Sequence, residues 1–140
     1  MRKGGLNLAA LAMMVGLSGC GSDRYPVSGR VTYDDGSPLT EGTVIAQMGE
    51  GAKSVSVQGR IDSTGRFSWG TERPADGAKP GKYLVAVIPR GLGDAETAKG
   101  ILPAVDPRFS NPQTSGIEFE VKPGSNELNI KVYKPKRQRP

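Results

Sequence analysis

The chain has one thiol, Cys20, and no histidine to activate it. That absence excludes Cys–His and Ser–His–Asp nucleophiles, histidine acid/base catalysis and His-containing zinc sites together. A lone cysteine also excludes an intrachain disulfide. The remaining chemistry belongs to carboxylates, arginines and aromatics. Asp34-Asp35 with Glu41 offers oxygens to a hard cation such as calcium, which takes about 6–8 of them. The segment lacks an alternating acidic ladder, however, and Asp-Gly is ordinary turn chemistry. Asp62-Ser63-Thr64 reads the same way, and Glu118 with Glu120 suits the solvated face of a strand. Gly91-Leu92-Gly93 has neither the lysine nor the helix of a phosphate loop. No metal and no cofactor are expected. Trp69 with Tyr83 or Tyr133 could stack on a sugar, although aromatics in a β-domain more often fill the core. Lys131, Lys134, Lys136, Arg137 and Arg139 form a basic run able to meet anionic headgroups, at roughly 1 kcal/mol per charge near a membrane surface.

The position of Cys20 suggests its use. Arg2 and Lys3 supply positive charge, and Leu8 to Leu17 is a run of apolar or small residues. That run is well short of the ~20 residues that span a bilayer as a helix. Ser18 and Gly19 are small enough to enter a signal-peptidase cleft. Leu17-Ser18-Gly19-Cys20 in this setting resembles the lipobox of bacterial lipoproteins. The resemblance implies cleavage between Gly19 and Cys20, diacylglycerol on the Cys20 thiol and acylation of the new amino group. Residues 1–19 are then a signal peptide, and 20–24 are the lipidated cysteine with its tether. The polar part, residues 21–24, reaches at most ~14 Å. The expected location is the cell envelope, membrane-anchored on the extracytoplasmic side, and export disfavours nucleic acid as a partner.

Removing residues 1–19 leaves 121, enough for one core-bearing domain, with 17 basic and 14 acidic side chains. Gly and Pro together number 31 of 140, about twice the usual share, and they punctuate short runs of Val, Ile, Tyr and Phe. This is the composition of strands joined by turns. Val27, Val31 and Tyr33 alternate with polar residues over Tyr25 to Tyr33, and further strands are predicted over Thr43–Met48, Lys53–Ile61 and Arg66–Trp69. Lys82–Ile88 is apolar on both faces, as in a central buried strand. Ile117–Val121 and Leu128–Val132 alternate again, with Pro123 to Asn126 predicted to join them as a hairpin. Pro89 to Gly116 stands apart as a 28-residue connection, with room for one helical turn at Asp94–Lys99. Loops of that length are usually functional or poorly ordered.

Three groups of spacings resemble the carboxypeptidase-regulatory-like and transthyretin-like (prealbumin-like) domains. They are Val27-x-Gly29-x-Val31 followed by Asp35-Gly36-x-Pro38-Leu39-x-x-Gly42-x-Val44; Asp62-x-x-Gly65-x-Phe67; and Gly81-x-Tyr83-x-Val85-x-Val87. The resemblance implies an all-β fold: a single seven-stranded antiparallel β-sandwich over residues 25–134, with 135–140 as a basic disordered tail. It implies no single activity. The hydrolytic branch of the transthyretin family uses histidines, which this chain lacks, and the carboxypeptidase-attached domains are not catalytic. The expected function is therefore a non-enzymatic, lipid-anchored envelope module that binds an envelope protein or glycan. The alternative is a small-ligand or carbohydrate-binding lipoprotein using the 89–116 loop. The contacts are expected on that loop or on Lys134, Lys136, Arg137 and Arg139.

Overall fold

The computed structural model describes residues 23–50, 53–91 and 93–136. The leader, Gly19, Cys20, Leu92, Arg137 and Arg139 lie outside the described residues. Seven strands form: β1 Val27–Tyr33, β2 Gly42–Met48, β3 Val55–Ile61, β4 Arg66–Ser68, β5 Gly81–Pro89, β6 Ile117–Val121 and β7 Asn126–Val132. They make two sheets, a small one in the order β4-β1-β7 and a large one in the order β3-β2-β5-β6. The inward faces meet in one core. Val27, Val31, Leu128, Ile130 and Val132 come from the small sheet, and Val44, Ala46, Val57, Val85 and Val87 from the large one. Phe67, Trp69 and Tyr83 supply aromatic bulk, with the Trp69 and Tyr83 ring centroids 5.7 Å apart. Alternation with period two therefore selects the buried side chains in β1, β3 and β7, as the pleat requires.

Three expectations need correction. The sheets are not all antiparallel, because β1 and β7 pair in parallel from Val27↔Asn126 to Tyr33↔Val132. Pro123 to Asn126 is accordingly not a hairpin turn. It passes the chain from the large sheet to the small one, where Asn126 donates its amide to the Pro26 carbonyl (2.9 Å). The Asn126 side chain holds that crossing, accepting from the Lys122 amide (2.9 Å) and donating to the Lys122 carbonyl (2.8 Å). The strand around Lys82–Ile88 is buried on one face only in part of its length, since Ile88 is 39% exposed. It is still interior to its sheet, with β2 on one side and β6 on the other.

The turn at Asp62–Gly65 also crosses between sheets. Asp62 accepts from the Thr64 amide (2.8 Å) and the Arg66 amide (3.0 Å), while Gly65 takes φ +83°. Gly29 serves a different need: a Cβ there would collide with the Leu128 carbonyl oxygen of β7. Glycine thus permits the close approach of β1 and β7.

The long connection is only half a surface loop. Its first half holds a short helix, α1 Asp94–Ala98, with no buried residue. Its second half packs into the sandwich. Val105 and Phe109 are buried, the latter on a 3₁₀ helix over Pro107–Ser110. Ser115, also buried, donates its hydroxyl to the Val85 carbonyl.

Candidate functional site

The strand directions give the sandwich two distinct ends. Asp23–Val27, the 69–81 segment and the β6–β7 crossing gather at one end, tied by the Tyr25↔Ala78 bridge. Arg24 reinforces it by pairing with Asp76 (2.9 Å) and Glu72 (3.1 Å). The ends of β1, β5 and β7 and the 89–106 segment gather at the other, here called the loop end. Six residue steps lead from Val27 to Tyr33, so the ends are ~20 Å apart.

At the loop end, the Tyr33 hydroxyl donates to the Ala104 carbonyl (2.9 Å), and the Asp106 amide donates to the Tyr133 carbonyl (2.8 Å). Burial, and then the Asp35 charge, hold the Tyr33 phenol above its ordinary pKa, so it stays a donor. Asp106 accepts from the Arg108 amide (3.0 Å) and so caps the 3₁₀ turn that carries Phe109. Phe109 and Tyr133 stack with centroids 5.9 Å apart, and the Arg108 guanidinium lies 4.7 Å from the Phe109 centroid. These contacts fasten residues 103–116 to the ends of β1 and β7.

The segment just before it is left outward. Ile101 and Leu102 are 47% and 43% exposed, and Tyr133 is 43% exposed. Leu102, Pro103 and Pro107 line a recess of about 690 Å³ together with Pro135 and Lys136. The 89–116 loop and the start of the basic tail, expected as alternative contact surfaces, therefore share one recess. Lys134 lies beside it on another contact, 5.1 Å from the Tyr33 ring centroid.

The other candidates disperse. Asp35 closes its own turn, accepting from the Ser37 hydroxyl (2.5 Å) and amide (2.9 Å), and these bonds hold its pKa down. Glu41 pairs with Arg90 (3.4 Å), which also meets Glu96 (3.3 Å). Asp62 is occupied by its turn, and the Thr64 hydroxyl is the first cause of its lowered pKa. Glu120 stands across from Lys82 on a solvated face. Among the described residues no group of three or more His, Cys, Asp or Glu could hold a metal ion. Trp69 and Tyr83 are both buried, so they form no sugar platform; Tyr133 is exposed but stacks on Phe109 instead. Among the described residues no helix is long and apolar enough to cross a membrane.

One grouping escapes sequence reading. Arg30 on β1 and Arg66 on β4 are direct cross-strand partners, and Arg60 of β3 joins them along an open trough of about 930 Å³. The signal was present, since both Arg30 and Arg66 fall at outward positions of alternating strands. What was missing was the register that sets them opposite each other.

No family model matches the chain, and no curated protein matches it. Among solved structures, a DUF3823 family protein from Parabacteroides merdae is similar at 18% identity and a TM-score of 0.46. The match covers 82% of this chain and 48% of that one. An (S)-allantoin synthase is similar at 14% identity and a TM-score of 0.45, over 81% of this chain and 42% of that one. The chain thus spans less than half the length of either structure.

Proposed function

We propose that the protein is a non-enzymatic, lipid-anchored cell-envelope module whose β-sandwich, of the transthyretin-like kind, binds a partner protein at its loop end. The observation that carries this reading is the recess in which the 89–116 loop and the basic tail meet. Its lining combines the exposed Leu102 with Lys136 of the tail. Loops on a rigid scaffold commonly serve recognition because the scaffold fixes their ends. Here residues 103–116 are fastened by Tyr33, Val85 and Tyr133, so the outward Ile101 and Leu102 are presented from a firm base.

The lipid on Cys20 supplies location and the sandwich supplies distance. A tether entering at Asp23 places the recess ~20 Å from the anchored end, turned toward the compartment. No histidine is available for catalysis, and Asp35, Asp62 and Glu41 are committed to turns and an ion pair.

Cross-linking in intact cells tests this reading. The full-length protein should yield a discrete cross-linked species that Leu102→Asp removes, while processing and membrane retention stay unchanged. A species that survives Leu102→Asp and truncation after Lys134 would place the contact elsewhere.

A further inference from the structure

We propose that the outer face of the small sheet is a separate binding site for an acidic polysaccharide bearing uronate carboxylates. The face is laid out by register. Arg66, Arg30 and Asn129 form one row across β4, β1 and β7, and Ser68, Ser28 and Glu127 form the next. All six side chains point away from the core, and all line the trough, where Arg60 joins them from β3.

Electrostatics identify the class of ligand. Like charges set directly opposite on neighbouring strands repel and weaken the sheet. Arg30 and Arg66 are such a pair, and none of the three arginines makes an ion pair among the described residues. Two carboxylates edge the trough, but each already has a donor. Asp62 accepts from its own turn, and Glu127 accepts from Asn129 (3.1 Å). Arg66 does act on Asp62 through its charge, yet no hydrogen bond or ion pair among the described residues engages the three guanidinium groups, and their planar donor edges match an incoming carboxylate in bidentate fashion. An anion bridging Arg30 and Arg66 turns a repulsion within the sheet into attraction.

The rest of the lining selects a glycan over a peptide. Ser28, Ser68 and Asn129 offer small polar groups between the cations, suited to ring hydroxyls. Phe67 is turned into the core, and Pro74 and Ala75 give only a short apolar border, so a peptide's large side chains would find no pocket. Peptides that pair with sheets also use unpaired backbone at an edge. Arg30 and Ser28 lie instead on the central strand, whose backbone is engaged on both sides.

The test uses the full chain in non-ionic detergent with alginate oligosaccharides as the polyuronate probe. Alginate should bind, neutral dextran should not, and added salt should weaken the binding by screening. Arg30→Gln with Arg66→Gln should weaken alginate binding roughly ten- to a hundredfold, the loss expected of two charged hydrogen-bonding groups. The same double variant should keep or raise the thermal midpoint, since it relieves a like-charge pair, so lost binding is not lost fold. Arg30→Lys with Arg66→Lys should also weaken binding, because lysine lacks the fork. The proposal is overturned if the glutamine variant binds alginate as tightly as wild type. It is equally overturned if poly-glutamate competes as well as alginate, or if only anionic phospholipid vesicles bind the face. Leu102→Asp should leave alginate binding intact, which separates this site from the loop-end recess.

Discussion

Tyr33 and Val132 lie side by side at the end of a parallel ladder that begins with Val27 beside Asn126. The polypeptide therefore leaves β7 at the end opposite the one where Asp23 enters β1. A tail that begins ~20 Å from the tether end is poorly placed to reinforce the anchor proposed at Cys20. Deleting residues 135–140 should leave membrane retention unchanged, whereas Cys20→Ala should leave the chain unprocessed and unlipidated. Fractionation with mass spectrometry of the N-terminus reads both. An unmodified Cys20 in the membrane fraction, or release on tail deletion, would refute the assignment.

The two halves of the long connection should differ sharply in energetic weight. Phe109 is buried between the sandwich and Tyr133, so Phe109→Ala should cost about 3–5 kcal/mol in denaturant unfolding. Ile101 is half exposed, and Ile101→Ser should stay within about 0.5 kcal/mol. Equal costs would mean that the loop is not divided as described.

This division marks where the sequence stops being readable. Period-two alternation exposes β1, β3, β6 and β7, because one face of each must be buried and the other wetted. Asp62 and Gly65 are legible too, since a carboxylate beside free amides and a positive φ have strong residue preferences. Val105 and Phe109 are not, because they are single apolar residues in a proline-rich stretch with no period to announce burial. Strand partnership is also hidden. Pro123-Gly124-Ser125-Asn126 has hairpin composition, yet Asn126 bonds back to Lys122 and on to Pro26, and the chain changes sheets. Arg30 and Arg66 could be placed on outward faces but not opposite each other. Their meeting depends on a pairing between segments more than thirty residues apart.

Acid should loosen the tether end. Asp76 accepts the Thr71 amide (2.5 Å), the Arg73 and Glu72 amides (each 3.2 Å) and the Arg24 guanidinium (2.9 Å). The Thr71 amide foremost, then the Arg73 and Glu72 amides and the Thr71 hydroxyl, bring its pKa down to about 2 against the opposing effect of burial. A folded value below the unfolded one of ~3.9 means the stabilisation is present above the unfolded value and is lost as pH falls through the folded one. The stability difference between wild type and Asp76→Asn should therefore be constant above about pH 5 and shrink from pH 4 toward pH 2. Denaturant midpoints measured across that range check it. A difference that is flat with pH would remove Asp76 from the account.

The parallel ladder can be tested by covalent chemistry as well as by substitution. Thr32 and Lys131 are paired in the β1–β7 register and both project on the outer side. Neighbouring strands ~4.8 Å apart fall within the Cα separation that a disulfide bridges. Thr32→Cys with Lys131→Cys should therefore oxidise readily in the folded protein, while Ser28→Cys with Lys131→Cys should not, since Ser28 pairs with Glu127. An antiparallel pairing in the same span would reverse that preference, because Ser28 would then approach Lys131. Gly29→Ala should act on the same contact. Its new methyl would meet the Leu128 carbonyl, and a backbone atom cannot rotate aside, so β7 must move off β1. The cost should exceed ~1–3 kcal/mol, the usual penalty of overpacking. Gly91→Ala, which meets nothing within 4 Å, serves as the neutral control. Preferential oxidation of the Ser28–Lys131 pair, with Gly29→Ala as stable as wild type, would overturn the parallel topology and the trough built on it.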